Sequence, residues 1–310
     1  RNTVAKQIIT PSLWFNGQAE QAVKFYTSIF KNSRVISKTP ATKAAEEVSG
    51  IKAGELLTIE FELEKYRFIA LNGGPQFVFT PAISFMVMCK TIEETEELWE
   101  NLKESGQTLM EMGPYPFSER YGWTQDKYYL SWQVMYSGER KVTQRIIPTL
   151  LFTGPRWGKA EEAMNFYVSI FHDSQINTID RYGAGQEPDT PESIAHATFM
   201  LEGQEFAAMD SAREHKFNFN EAVSLMVECK NQEEIDYYWG KLTEGGEEGV
   251  CGWLKDKYGV SWQITPNVLG EMLRDHDREK AERVTAAYLK MKKFNIAELE
   301  KAYKGKLQTV

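Results

Sequence analysis

Four sequence blocks occur twice, in the same order, in this chain of 310 residues. TPSLWF at 10–15 returns as IPTLLF at 147–152. AEQAVKFYTSIF, from Ala19 to Phe30, returns as AEEAMNFYVSIF, from Ala160 to Phe171. The stretch from Ala82, AISFMVMCK, returns from Ala222 as AVSLMVECK. GWTQDKYYLSWQ, from Gly122, returns from Gly252 as GWLKDKYGVSWQ. Four matches in fixed order are a tandem duplication, and a duplicated chain must build one module twice. Length agrees, since a domain takes on the order of 150 residues.

Each copy reads as β-α-β-β-β. The helix carries Ala22, Phe25, Tyr26 and Ile29, or Ala163, Phe166, Tyr167 and Ile170, at helical spacing. The strands alternate: Ile59, Phe61 and Leu63 against Thr58, Glu60 and Glu62, and Ala197, Phe199 and Leu201 against His196, Thr198 and Met200. A further helix is anchored by Trp99 and Leu102, or Trp239 and Leu242. A DKY turn then leads to a closing strand, LSWQV or VSWQI. The fold class is α+β, two tandem βαβββ modules with curved mixed sheets and a helical C-terminal extension. The expected domains are 1–140, 141–266 and 267–310. Copy 1 alone carries MEMGPYPFSERY before its last strand, which reads as an ordered loop over a pocket or a plain surface loop.

Period-two alternation gives every strand an apolar face for the helices and a second, mixed face. A mixed second face on central strands implies curvature around a ligand cup. Parity puts Thr10, Ser12, Trp14, Thr58, Glu60, Glu62, Ser84, Met86, Met88, Ser131 and Gln133 there in copy 1. In copy 2 it puts Thr149, His196, Thr198, Met200, Ser224, Met226, Glu228, Ser261 and Gln263 there.

Composition excludes several classes. Hydrophobic residues at 42% and charged residues at 26% describe a chain with a full core. Net charge −8 disfavours a phosphate backbone as partner. No apolar run reaches the ~20 residues of a membrane span, so neither nucleic acid nor membrane is expected. Three cysteines without a CxxC point to a reducing, cytoplasmic setting. The expected partner is a small-molecule ligand. The amphipathic tail after Pro266 should pack on its own chain or on a partner, self-association being the partner expected.

Taken together, A-E-x-A-x-x-F-Y-x-x-I-F, SIAHATF (Ser193 to Phe199) and GWxxDKYGVSWQ resemble the PhnB-like branch of the vicinal-oxygen-chelate (glyoxalase, bleomycin-resistance and dioxygenase) superfamily. The resemblance covers both copies and reaches into the tail. It implies paired modules curving into an open cup. It also implies a small-metabolite enzyme of isomerase or lyase type, or a metal-free protein that sequesters a small molecule. Metal enzymes of that superfamily take ligands from first and last strands, here Thr10, Ser12, Ile147, Thr149, Gln133 and Gln263. Hydroxyls and amides suit Zn, Ni or Fe poorly. No metal ligand and no cofactor is therefore expected, although a divalent ion stays open. Some members of the branch carry a demethylubiquinone methyltransferase label, which no cofactor motif here supports.

Candidate acid–base residues are His196, which titrates near neutrality, and Glu60 and Glu228, carboxylates on a predicted interior face. Candidate ligand contacts are Ser12, Trp14, Met86, Gln133, Thr149, Asp210, Met226 and Gln263. The side bearing His196, Asp210 and Glu228 should be the better equipped. For each, a hydrogen-bonded structural role is the plainer alternative. Asp126 and Asp256 read as turn-stabilising residues.

Overall fold

A computed structural model describes residues 7–305. Each copy holds two successive β-α-β-β-β runs. The first is β1 (Ile9–Phe15), α1 (Ala19–Ile29), β2 (Arg34–Pro40), a short α2 (Lys43–Ser49), β3 (Leu56–Leu63) and β4 (Tyr66–Asn72). The second is β5 (Ile83–Cys89), α3 (Ile92–Lys103), β6 (Gln107–Tyr115), β7 (Ser118–Gln125) and β8 (Ser131–Tyr136). Copy 2 repeats this with β9 (Ile146–Thr153), α4 (Ala160–Ile170), β10 (Gln175–Arg181), β11 (Ile194–Leu201) and β12 (Gln204–Ser211). It continues with β13 (Val223–Cys229), α5 (Gln232–Thr243), β14 (Glu247–Glu248), β15 (Trp253–Lys255) and β16 (Ser261–Pro266). Helices α6 (Leu269–Leu273), α7 (Arg278–Tyr288) and α8 (Ile296–Lys304) form the tail.

The α+β class, the duplication, the βαβββ unit and the helical tail are as the sequence indicated, but each copy holds two such units in series where the sequence reading expected one, with β2 and the β6–β7 pair the strands it missed. The MEMGPYPFSERY segment is not a loop. It forms most of a β6–β7 hairpin, with Met110 opposite Trp123 and Tyr115 opposite Ser118. The hairpin hides from a period-two reading because three register shifts interrupt it.

The strands form two eight-stranded mixed sheets, and neither belongs to one copy. Sheet A runs β14-β15-β16-β13-β1-β4-β3-β2, and sheet B runs β10-β11-β12-β9-β5-β8-β7-β6. The copies join where β1 pairs antiparallel with β13 (Ser12 opposite Ser224) and β5 with β9 (Ser84 opposite Thr149). Sheets thus cross between copies, whereas side-chain packing also runs within each copy. Phe68 of sheet A meets Phe85 of sheet B with ring centroids 5.1 Å apart, inside one continuous core.

Local chemistry fixes the helices and turns. Thr91 and Asn231 cap α3 and α5 by accepting from Glu94 N and Glu234 N, with acidic residues in each first turn. In the DKY turn, Asp126 Oδ1 accepts from the amides of Tyr128 and Leu130. Its Oδ2 accepts from Tyr26 Oη at 2.7 Å and Trp132 Nε1 at 2.9 Å. Asp256 repeats all four bonds with Tyr258, Val260, Tyr167 and Trp262. These two residues do stabilise turns, and they also tie the turn to the first helix of the copy.

Candidate functional site

The face of each sheet turned away from the helices is a candidate cup. Because the sheets cross between copies, the cup residues regroup. Sheet A collects Thr10, Ser12, Trp14, Glu60, Met226, Glu228 and Gln263. Sheet B collects Met86, Gln133, Thr149 and His196. The anticipated cup in which His196 works beside Glu60 or Glu228 is therefore corrected: the carboxylates and the imidazole lie on different sheets. Sequence alternation gives the face of a residue but not which strand lies beside it.

Asp210 is also corrected. Its neighbours Phe206 and Ala208 face the helices, and Asp210 shares that parity. Its carboxylate accepts from Ala160 N at 3.1 Å and Ile194 N at 2.9 Å, capping the start of α4. Asn72 does the same for Ala19 in copy 1 at 3.0 Å. The pairing of Asp210 with Asn72 in the repeat, a cap-forming residue type in both copies, was the available signal.

The cup of sheet B is filled by its own side chains. Met86, Met88, Tyr121, Trp123, Met135, Ile147, Leu151 and Ala207 form one buried cluster, with Met110, Tyr115, Met209 and Phe217 packed on it. Part of its polar row is paired, while Thr153 Oγ1 at the end of β9 is buried without a partner. Gln133 donates to Ser84 Oγ at 2.8 Å and accepts from the Tyr121 hydroxyl, and Trp123 Nε1 donates to Ser131 Oγ at 2.7 Å. Thr149 is buried and donates to the Ile147 carbonyl. His196 stands opposite Asp180 at the rim, with Nε2 buried and unbonded. Burial lowers its pKa, partly offset by the Asp180 charge, so the neutral imidazole prevails at pH 7.

The cup of sheet A differs at the equivalent positions. Gln263 donates to Ser224 Oγ at 2.9 Å, but Cys251 stands where Tyr121 would supply its second bond. Trp253 leaves Ser261 alone and packs edge-on to Trp14, with centroids 6.0 Å apart. Ser261 Oγ and Thr10 Oγ1 are buried without any partner. Such orphaned hydroxyls each cost about 1–3 kcal/mol unless something else bonds them. Around them Trp14, Ile69, Met226 and Trp253 are only half-buried, whereas their counterparts Leu151, Ala207, Met86 and Trp123 in sheet B are buried; Leu71 and its counterpart Met209 are half-buried alike.

One residue the sequence reading passed over organises the polar end of this cup. Arg67 of β4 follows Thr10 in register and reaches carboxylates from both copies. Its Nε lies 2.9 Å from Glu60 Oε1, near enough to pair charges though not aligned for a hydrogen bond. Its Nη2 bonds Glu228. Ser37 donates to the other Glu60 oxygen at 3.0 Å. Burial lowers the Arg67 pKa and Glu60 opposes that. The signal was present, because Arg67 has the same parity as Ile69 and Leu71. Ser12 is buried in the row between Ser224 and Ile69.

The first- and last-strand positions of the superfamily's metal site carry Thr10, Ser12, Ile147, Thr149, Gln133 and Gln263. Both amides already donate to serines, and the remaining oxygens are neutral. Among the described residues no group of three or more His, Cys, Asp or Glu converges. This donor set does not fit a divalent ion.

The profile of the 3-demethylubiquinone-9 3-methyltransferase family matches residues 7–135 and again 144–265. The chain belongs to that family. Its PhnB-like kinship is seen directly in a Bacillus cereus protein described as a putative 3-demethylubiquinone-9 3-methyltransferase, PhnB protein. That protein is 38% identical to this chain and matches over 42% of this chain and 99% of its own length, with a TM-score of 0.38. A Staphylococcus aureus protein is 30% identical over 43% of this chain and 99% of its own, with a TM-score of 0.18. Glyoxalase I from Zea mays matches across both copies, over 87% of this chain and 96% of its own, at 10% identity and a TM-score of 0.55. That likeness places the family member in the vicinal-oxygen-chelate fold. No functionally curated protein matches the chain. Among the described residues, no helix is long and apolar enough to cross a membrane.

Proposed function

We propose that the cup of sheet A binds a small aromatic molecule bearing oxygen substituents. The observation that supports this most is the pair of buried, unpartnered hydroxyls, Thr10 Oγ1 and Ser261 Oγ, flanked by half-buried Trp14 and Trp253. The indoles supply ring faces and edges. The hydroxyls and the Gln263 amide supply bonds to carbonyl or phenol oxygens. Glu228 and Glu60, charge-paired with Arg67, accept from ligand O–H groups at the far end and are the candidate acid–base groups.

The 3-demethylubiquinone named in the family's description carries an oxygen-substituted ring of this kind. Methyl transfer does not follow, since neither mixed sheet is the doubly wound parallel sheet that usually seats a nucleotide-like methyl donor. Sequestration without turnover is the second reading, favoured by a donor set that does not fit a metal. Recovery of the ligand unchanged after prolonged incubation separates the two.

The test is calorimetric titration with hydroquinone and catechol. Thr10→Val and Ser261→Ala should each weaken binding about fivefold, the worth of one hydrogen bond of ~1 kcal/mol. His196→Ala should leave it unchanged. The reverse pattern would move the site to sheet B.

A further inference from the structure

Residues 267–305 lie beyond the family match, which ends at 265, yet they hold both free edges of sheet A. At the copy-2 edge, Cys251 N and Gly252 N donate to the carbonyls of Met291 and Lys292, each at 2.8 Å. Gln232 clamps the same segment, donating to Phe294 O at 2.9 Å and accepting from Ile296 N at 2.8 Å. Phe294 is buried against Gly252, where a Cβ would come within 2.4 Å of its ring. In sheet B this place belongs to the long β6–β7 hairpin. Copy 2 has only the stubs β14 and β15, and the tail takes the place of the missing strands.

At the copy-1 edge the attachment is of another kind. The Glu282 carboxylate accepts from Lys43 N at 2.7 Å and Ala44 N at 3.2 Å, at the start of α2. Arg274 reaches Thr39 of β2 at 3.4 Å. Eight strands follow a contour of roughly 34 Å along their hydrogen-bonding direction. From Glu282 to Met291 the chain covers nine residues, largely helical, or about 13 Å. The two edges are thus far closer across the open side than along the sheet, and the tail crosses that gap.

We propose that the C-terminal segment is the gate of the sheet A cup, hinged at the copy-2 edge and released at the copy-1 edge. The asymmetry of the anchors sets this direction. Main-chain bonds and a buried phenylalanine hold one end, whereas the side chains of Glu282 and Arg274 and the packing of α7 on α2, with no main-chain bond between the two among the described residues, hold the other. The gate regulates the site proposed above and rests on that reading.

The experiment uses the full chain with Glu282→Ala, and separately Arg274→Gln in case the first variant folds poorly. Hydrogen exchange should speed at Lys43 and Ala44 while Cys251 and Gly252 stay protected. Acrylamide should quench tryptophan fluorescence more strongly, and catechol should associate severalfold faster by stopped flow. Exchange that opens both edges together only with global unfolding would overturn the proposal. So would local opening that leaves quenching unchanged. If catechol fails to bind the unaltered protein, the ligand assignment falls, and exchange and quenching still decide the gate.

Discussion

Asp126 shows how one buried group can be pulled both ways. Burial pushes its carboxyl up to about 6, while donated bonds from Tyr26, Trp132, Tyr128 and Leu130 pull it down. Asp256, with the same four kinds of partner, is raised for the same reason. Because the folded pKa lies above the unfolded value of 3.8, the native state binds this proton more tightly. The stability it contributes is full below about pH 4 and is lost as pH rises through about 6. Tyr26→Phe removes a donor and should lift the Asp126 midpoint further, measurable by NMR titration of its carboxyl carbon. Asp126→Asn keeps one acceptor and turns an amide NH2 towards donors, so urea unfolding should show a loss of about 2–4 kcal/mol. Tyr121→Phe strips Gln133 of the bond that its counterpart Gln263 already lacks. It should cost ~1–2 kcal/mol by the same measurement.

At the scale of elements, the two copies differ in α2, which copy 2 lacks, and in the strands before the last one. Copy 1 keeps the β6–β7 hairpin, whose Met110, Tyr115 and Tyr121 close the sheet B cup. Copy 2 has only the stubs β14 and β15 in its place, which leaves the outer edge of sheet A to the tail. The tail's Leu269, Met272, Val284, Met291, Phe294 and Leu299 are buried against the chain's own core. Shortening the hairpin of copy 1 to the length of copy 2 should expose the Met cluster. An apolar dye such as ANS should then bind the variant and not the parent, and equal dye binding would show that the hairpin is not what closes that cup.

At the scale of the molecule, the chain is two copies interlaced through β1–β13 and β5–β9. An isolated copy, residues 7–140, keeps the Phe61, Phe68, Phe85 and Trp132 core but exposes β1 and β5 as unpaired edges. Two such fragments can restore both pairings by symmetry, since β13 repeats β5 and β9 repeats β1. The fragment should sediment as a dimer, as a folded monomer would not.

The duplication, the α+β class, the helix faces, the DKY turns and the parity of nearly every cup residue were legible in the sequence. Each depends on neighbours a few residues apart: a period of two or 3.6, a cap, or a turn aspartate. Glu60, Glu228, Trp14 and Gln263 were found in this way, and they do share a face. What no period encodes is which strand lies beside which. That pairing divided His196 from the glutamates and brought Arg67 between carboxylates of different copies. It also set the tail across one cup and not the other. Those outcomes were decided by contacts between residues far apart in the chain, where packing and burial choose among pairings that the local pattern leaves equal.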